Sequence, residues 1–152
     1  MKLSEELARI TSVFIDTAPV IYYIQAHPKF GPLAKEVVSA FRSGNLFAYS
    51  SVLTLTEVLI KPIEINDEPL ARKFADFLKH GRHFLLIEIS EGIAETAGRL
   101  RGRHPFLKTI DALQLAAAQE VRAEAFLTND AKLKHIKELN VIVLKDYLQE
   151  SF

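Results

Sequence analysis

Residues 13–24 read VFIDTAPVIYYI, and this stretch decides the fold. Val13, Phe14 and Ile15 form an apolar run that is short and not alternating, as expected of a strand buried on both faces. Asp16 follows at once, with Thr17 behind it and a helical segment beyond. A strand that ends in an acid and hands over to a helix is the opening of a βαβ unit. Asp16 can serve as the cap of that helix, or it can be kept for chemistry. Both readings stay open on this stretch alone.

The same unit recurs along the chain. Further strands are predicted at Leu46–Ser50, Phe84–Ile89, Ala125–Thr128 and Val141–Leu144. Between them Pro32 opens a helix in which Leu33, Val37, Val38 and Phe41 recur at helical spacing. Ser43-Gly44-Asn45 ends it. Pro69 stands near the start of another helix, with Leu70, Phe74, Phe77 and Leu78 on one face and His80-Gly81 at its close. Ser90 begins the next, and Thr109 is placed to cap the helix that carries Asp111. Strands alternating with helices predict an α/β domain whose parallel sheet is covered on both faces.

The chain of 152 residues is expected to be one domain, residues 1–152, with residues 1–12 as an extension before the first strand. Its apolar runs are far shorter than a membrane span, and residues 1–12 lack a signal-peptide core. With no cysteine, thiolate zinc sites, disulfides and cysteine nucleophiles are excluded, and a cytoplasmic location is expected. The formal net charge is zero, which argues against binding nucleic acid through a uniformly basic surface. The exception is RLRGRHPFLK, where Arg99, Arg101, Arg103 and Lys108 cluster. It reads equally as a solvated helix end or as a phosphate-contacting patch.

Four acids stand in segments that otherwise read as buried: Asp16, Glu57 in SSVLTLTEVLI, Asp111 in KTIDALQLAAA and Asp130 in AFLTND. Ligands of open α/β sheets bind beyond the carboxyl ends of the strands, where strand order reverses. If the first and fourth strands are neighbours, Asp16 and Asp130 face one crevice, and the helices of Glu57 and Asp111 flank it. Converging carboxylates repel. A hard divalent cation, Mg²⁺ or Mn²⁺, resolves the conflict with oxygen ligands. Such a site favours metal-assisted phosphodiester hydrolysis over acyl transfer, because no histidine stands in a triad or metal motif. Each of the five histidines reads as a surface residue; His104, beside the basic run, is the least easily set aside.

With FIDTAPVIYYI, SSVLTLTEVL, the helix bearing Arg101, TIDALQLAAA and FLTNDAKL in this order over residues 13–144, the chain resembles the PIN-domain family, and within it the VapC-type toxins. The resemblance implies a three-layer α/β/α fold with strand order 3-2-1-4-5 and a Mg²⁺- or Mn²⁺-dependent endoribonuclease. Asp16, Glu57, Asp111 and Asp130 would be its metal-binding and catalytic acids, with Asp16 and Asp111 on the metal directly. Thr17 and Thr128 would support them. It further implies an RNA substrate, an antitoxin partner and a homodimer. Ala18 departs from the family, in which Asn often follows the Asp-Thr pair.

Rival readings are a free-standing RNA-processing nuclease and a binding module that keeps only the fold. A haloacid-dehalogenase-type phosphotransferase needs a second Asp two residues after the first, where this chain has Ala18. Tyr22 and Tyr23 are expected to pack against a helix or a twin subunit rather than to stack on bases.

Overall fold

The computed structural model describes residues 1–148. Strands β1 (Ser12–Ile15), β2 (Phe47–Ser51), β3 (Phe84–Ile87), β4 (Ala125–Thr128) and β5 (Val141–Val143) form one sheet in the order β3-β2-β1-β4-β5. Every pairing is parallel. Helix α1 (Leu3–Leu7) precedes β1, and helices α2 (Thr17–Ile24), α3 (Gly31–Arg42), α4 (Val52–Glu64), α5 (Glu68–His80), α6 (Glu91–Arg103) and α7 (Thr109–Glu120) connect the first four strands. The expected class and strand order are both observed.

β1 shows why the sheet is covered twice. Successive strand residues point to opposite faces, so Val13 and Ile15 enter the core built with α1 to α5. Phe14 enters the other core, against α6 and α7. Its ring stacks on that of Phe126, its register partner in β4, with centroids 5.6 Å apart. Burying a phenylalanine completely contributes about 2–3 kcal/mol, and Phe14 and Phe126 are both fully buried. A polar residue on either face of β1 would therefore open one of the two layers.

The element boundaries differ from expectation in small ways. β3 stops at Ile87 because the chain must turn out of the ladder for Ser90 to cap α6, its hydroxyl accepting from the Ile93 N–H at 3.1 Å. Thr109 does not cap α7; it is the first helical residue, and Lys108 holds the cap position without a side-chain bond. Gly44 turns the chain after α3 at φ +87°, a conformation that an L side chain adopts only with strain. Residues 1–12 hold α1, whose Leu3 and Leu7 are buried in the same core as Phe41.

Tyr22 and Tyr23 pack within the chain. The Tyr22 ring lies on Phe30, and its hydroxyl accepts from Asn129 Nδ2 at 3.1 Å. Tyr23 packs on Phe77 and accepts from Arg42. Nor is His27 a free surface residue, because its Nδ1 accepts the N–H groups of Lys29 and Phe30. Among the described residues, no helix is long and apolar enough to cross a membrane.

Candidate active site

Strand order reverses at β1, since β2 and β3 lie on one side of it and β4 and β5 on the other. The crevice beyond its carboxyl end is therefore where a ligand site is expected. The Asp16 N–H bonds to the Leu127 carbonyl at 2.9 Å, extending the β1–β4 ladder by one step. That bond brings the Asp16 side chain level with Thr128 at the end of β4. The Thr128 hydroxyl donates to Asp16 Oδ2 at 2.9 Å, and the Thr17 N–H donates to Oδ1 at 2.9 Å. Asp16 is thus both the cap of α2 and a member of the crevice.

Asp130 follows the same rule on the neighbouring strand. Its carboxylate accepts from the Lys132 N–H at 3.0 Å, capping a 3-10 turn at Ala131–His135. Its own N–H donates to Thr128 Oγ1 at 3.1 Å. Thr128, almost wholly buried, therefore ties Asp130 to Asp16.

Glu57 projects from α4 into solvent, contrary to the buried setting expected for it. What draws it to the crevice is Thr17, whose hydroxyl donates to Glu57 Oε1 at 2.6 Å. Asp111 is partly buried in the first turn of α7.

Electrostatics link the four acids. The Asp16 carboxyl is pushed up to about 6, chiefly by burial, against its hydrogen bonds from Thr17 and Thr128; the charges of Asp111 and Glu57 add to the rise. Asp111 is also raised, first by burial and then by Asp130, while Lys108 eases it, Glu57 raises it further and Lys132 eases it. Asp111 therefore feels all three of the other acids.

Among the described residues none of the four acids is held in an ion pair, and Lys108 and Lys132 ease Asp111 only from beyond ion-pair distance. The ion pairs among those residues join Arg103 to Glu138 and Lys134 to Asp146, and His104 hydrogen-bonds to Glu138. Nor do any three His, Cys, Asp or Glu side chains stand among those residues as a ready-made ion cage. The reason is visible in the bonds just given. Asp16, Glu57 and Asp130 are each turned toward a donor of the protein. The donor set is nevertheless all carboxylate and hydroxyl oxygen, the chemistry that Mg²⁺ or Mn²⁺ selects.

The basic run is divided by the helix that bears it. Leu100 is fully buried on α6, and at about 100° per residue Arg99 and Arg101 flank it on opposite sides. Arg103 lies on the side of Arg99 and is engaged by Glu138 at 3.6 Å. His104 Nε2 meets the same carboxylate at 3.1 Å. Lys108 stands apart at the cap of α7.

Five further residues belong to the site without standing out in the sequence. Lys132 is one, by its charge beside Asp111. The others are Ser50, Ser51, Thr54 and Gln114, all fully buried and hydrogen-bonded to one another beneath the acids. Gln114 has one signal in sequence, as an amide in the apolar run LQLAAA three residues after Asp111. Thr54 stands three residues before Glu57, on the same helical face.

A family model for the PIN domain matches residues 13–139. The chain belongs to the PIN-domain family. Its fold is also that of VapC-type toxins in solved complexes. A VapBC pair from Rickettsia felis bound to a promoter DNA fragment aligns with TM-score 0.72 and 20% identity, covering 88% of this chain and 98% of that one. A toxin–antitoxin complex from Klebsiella pneumoniae aligns with TM-score 0.65 and 26% identity over 87% of this chain and 97% of that one. A sarcin–ricin-loop-cleaving VapC toxin from Mycobacterium tuberculosis aligns with TM-score 0.68 and 16% identity over 82% and 95%. No curated protein matches the chain in sequence.

Proposed function

We propose that this PIN domain is a divalent-metal-dependent endoribonuclease and the toxin of a toxin–antitoxin pair. One observation carries the reading. Acids from four separate elements meet at the switch point of the sheet, Asp111 feels the charge of the other three, and none has an ion-pair partner among the described residues. Such repulsion is relieved by protonation or by a bound cation; with Asp16 pushed up only to about 6, a cation is the relief that works at neutral pH.

Asp16 and Asp111 would hold Mg²⁺ or Mn²⁺, with Glu57 and Asp130 completing the shell or orienting water. A metal bound there supplies Lewis acidity toward a phosphate oxygen and lowers the pKa of a bound water. The chain's own groups do the rest. Thr17 and Thr128 hold the Asp16 oxygens in place, and the Thr17 hydroxyl aims Glu57 inward. Lys108 and Lys132 offset negative charge at the mouth, where an RNA phosphate would arrive. Arg99 and Arg101, exposed on α6, are candidates for the flanking backbone.

The solved neighbours that contain an antitoxin support a protein partner for this chain. Ile60, Ile63 and Ile65, each more than half exposed at the end of α4, offer apolar surface for that partner or for a second copy in a homodimer. A cytoplasmic location accords with both. The test is RNA cleavage with Mn²⁺ and with EDTA. Asp16→Asn and Asp111→Asn should each abolish metal-dependent cleavage while circular dichroism stays unchanged. Full activity in both variants would refute the site.

A further inference from the structure

The polar side chains buried among the described residues are Ser50, Ser51, Thr54, Gln114 and Thr128. All five lie beneath the acidic crevice. Leaving one such group unpaired costs about 1–3 kcal/mol, so a cluster of them in a core needs its bonds. Here no buried side-chain nitrogen or oxygen among the described residues is without a partner. Thr128 serves Asp16 directly. The other four form a chain that ends on Glu57.

The polarity of that chain is set by the Gln114 amide. Ser51 Oγ, which accepts from the Leu53 N–H, donates its proton to Gln114 Oε1 at 2.5 Å. The opposite end of the amide, Nε2, can only donate, and does so to Thr54 Oγ1 at 2.7 Å. Thr54 is thereby an acceptor toward Gln114, and it accepts again from Ser50 Oγ at 2.9 Å, a proton that Ser50 shares with the Ile15 carbonyl, so the Thr54 proton passes outward. Thr17 Oγ1 lies 3.2 Å away in that direction. Thr17 in turn spends its proton on Glu57 Oε1 at 2.6 Å. With the amide turned over, Thr54 would give its proton inward, and the Thr17 contact would lose its donor.

The same amide also sets a distance between helices. Gln114 lies one turn after Asp111 on α7, and Thr54 lies one turn before Glu57 on α4. α7 packs in one core of the sandwich and α4 in the other. The Gln114–Thr54 bond joins these helices one turn from the two acids, and the Gln114–Ser51 bond adds a second tie at the cap of α4. We infer that Thr54 and Gln114 are positioning residues, which aim Glu57 through Thr17 and fix its spacing from Asp111 around a divalent cation. The inference rests on the nuclease reading above.

A core that merely needed filling would accept any side chain of the right shape, so the test separates cation affinity from stability. Intact chain is titrated with Mn²⁺ by calorimetry, and unfolded with urea in parallel. Thr54→Val keeps the shape and deletes the relay hydroxyl; it should weaken Mn²⁺ binding by about 10–100-fold, the range for partners behind a metal ligand. Gln114→Leu should do the same, and serves if the valine variant fails to fold. Thr54→Ser restores the hydroxyl and should bind within about threefold of the parent, below that range. Gly44→Ala is the control. It forces a side chain into φ +87° outside the crevice, so it should lower stability yet leave Mn²⁺ affinity alone. Parental Mn²⁺ affinity in Thr54→Val or Gln114→Leu would overturn the inference while leaving the nuclease reading intact, and so would equal weakening in Gly44→Ala. An unsubstituted chain that binds no Mn²⁺ would overturn both.

Discussion

Replacing Asp16 by Asn should inactivate the protein and stabilise it. The Asp16 carboxyl rises from 3.8 to about 6 on folding, mainly through burial. Raising a pKa by one is worth about 1.4 kcal/mol, so ionising Asp16 in the folded chain costs roughly 3 kcal/mol. The sign follows from proton linkage. Between pH 4 and pH 6 the unfolded chain has already lost this proton and the native chain has not, so stability falls as pH rises through that window. Below pH 4 the cost is absent, and above pH 6 it is fully present. An amide removes it at every pH. The oxygen of the introduced amide can still accept from the Thr17 N–H, and its nitrogen can donate to Thr128 Oγ1, which then accepts instead of donating. The stranded Thr128 proton returns about 1 kcal/mol of the gain. The variant should therefore exceed the parent by about 2 kcal/mol at pH 7.5 in EDTA, or roughly 4–8 °C in Tm for a chain of this size. Near pH 4 that gain disappears and the variant holds no advantage. The assay is urea unfolding of both proteins across pH 4–8, repeated with saturating Mn²⁺. Metal stabilises only a chain that binds it in the native state, so Mn²⁺ should shrink or reverse the gap. A variant less stable than the parent at pH 7.5 in EDTA, or a gap that does not change with pH, would refute the reasoning.

Because Asp16 and Asp111 are both raised, protons compete with the cation, and Mn²⁺ affinity should fall by up to about tenfold per pH unit below pH 6; calorimetry at pH 5 and pH 7 checks this. Thr128→Val removes the donor to Asp16 and leaves the Asp130 N–H without its acceptor, so it should cost about 1–3 kcal/mol in urea unfolding and weaken cleavage. Glu138 is held below its usual value mainly by the hydrogen bond from His104, yet the pair is solvent-exposed, so Glu138→Gln should cost less than about 1 kcal/mol near neutral pH, and less still in 1 M salt. Gly44→Ala forces a side chain into φ +87° and should lower stability by about 1 kcal/mol, read as a shifted urea midpoint with unchanged slope.

Much of the fold was legible because buried parallel strands and amphipathic helices leave different residue patterns. Val13–Ile15 and Ala125–Leu127 are apolar without alternation, and the helix from Gly31 to Arg42 repeats Val37, Val38 and Phe41 at helical spacing. Capping was legible only where a side chain makes the bond. Ser90 caps α6, whereas α7 begins without a side-chain cap and Thr109 sits one residue inside it. The acids showed because charge in an apolar run is conspicuous. The hydroxyls beneath them did not, since Ser and Thr are common in strand–helix junctions and their value here lies in contacts far along the chain, such as Ser51 with Gln114. A basic cluster in sequence likewise says little about a basic face. Arg99 and Arg101 diverge around buried Leu100, and Arg103 is drawn to Glu138, which lies far along the chain.

Asp16 and Asp130 show that capping and chemistry are not rival roles. A cap fixes a carboxylate at the first turn of the helix, with at least one oxygen committed to a backbone N–H. Each carboxylate oxygen carries two lone pairs, so a cap bond leaves capacity for a cation while removing rotational freedom. Two strand ends side by side then deliver two such carboxylates in fixed relation, because the β1–β4 register sets Ile15 opposite Leu127. Glu57, on a longer and exposed side chain, has no such cap and depends on the Thr17 hydroxyl instead. The order of rigidity is therefore Asp16 and Asp130 before Glu57. Thr17→Val should accordingly lower cleavage chiefly by freeing Glu57, whereas Thr17→Ser should preserve it. Equal activity in the valine and serine variants would show that Glu57 finds its place without the hydroxyl.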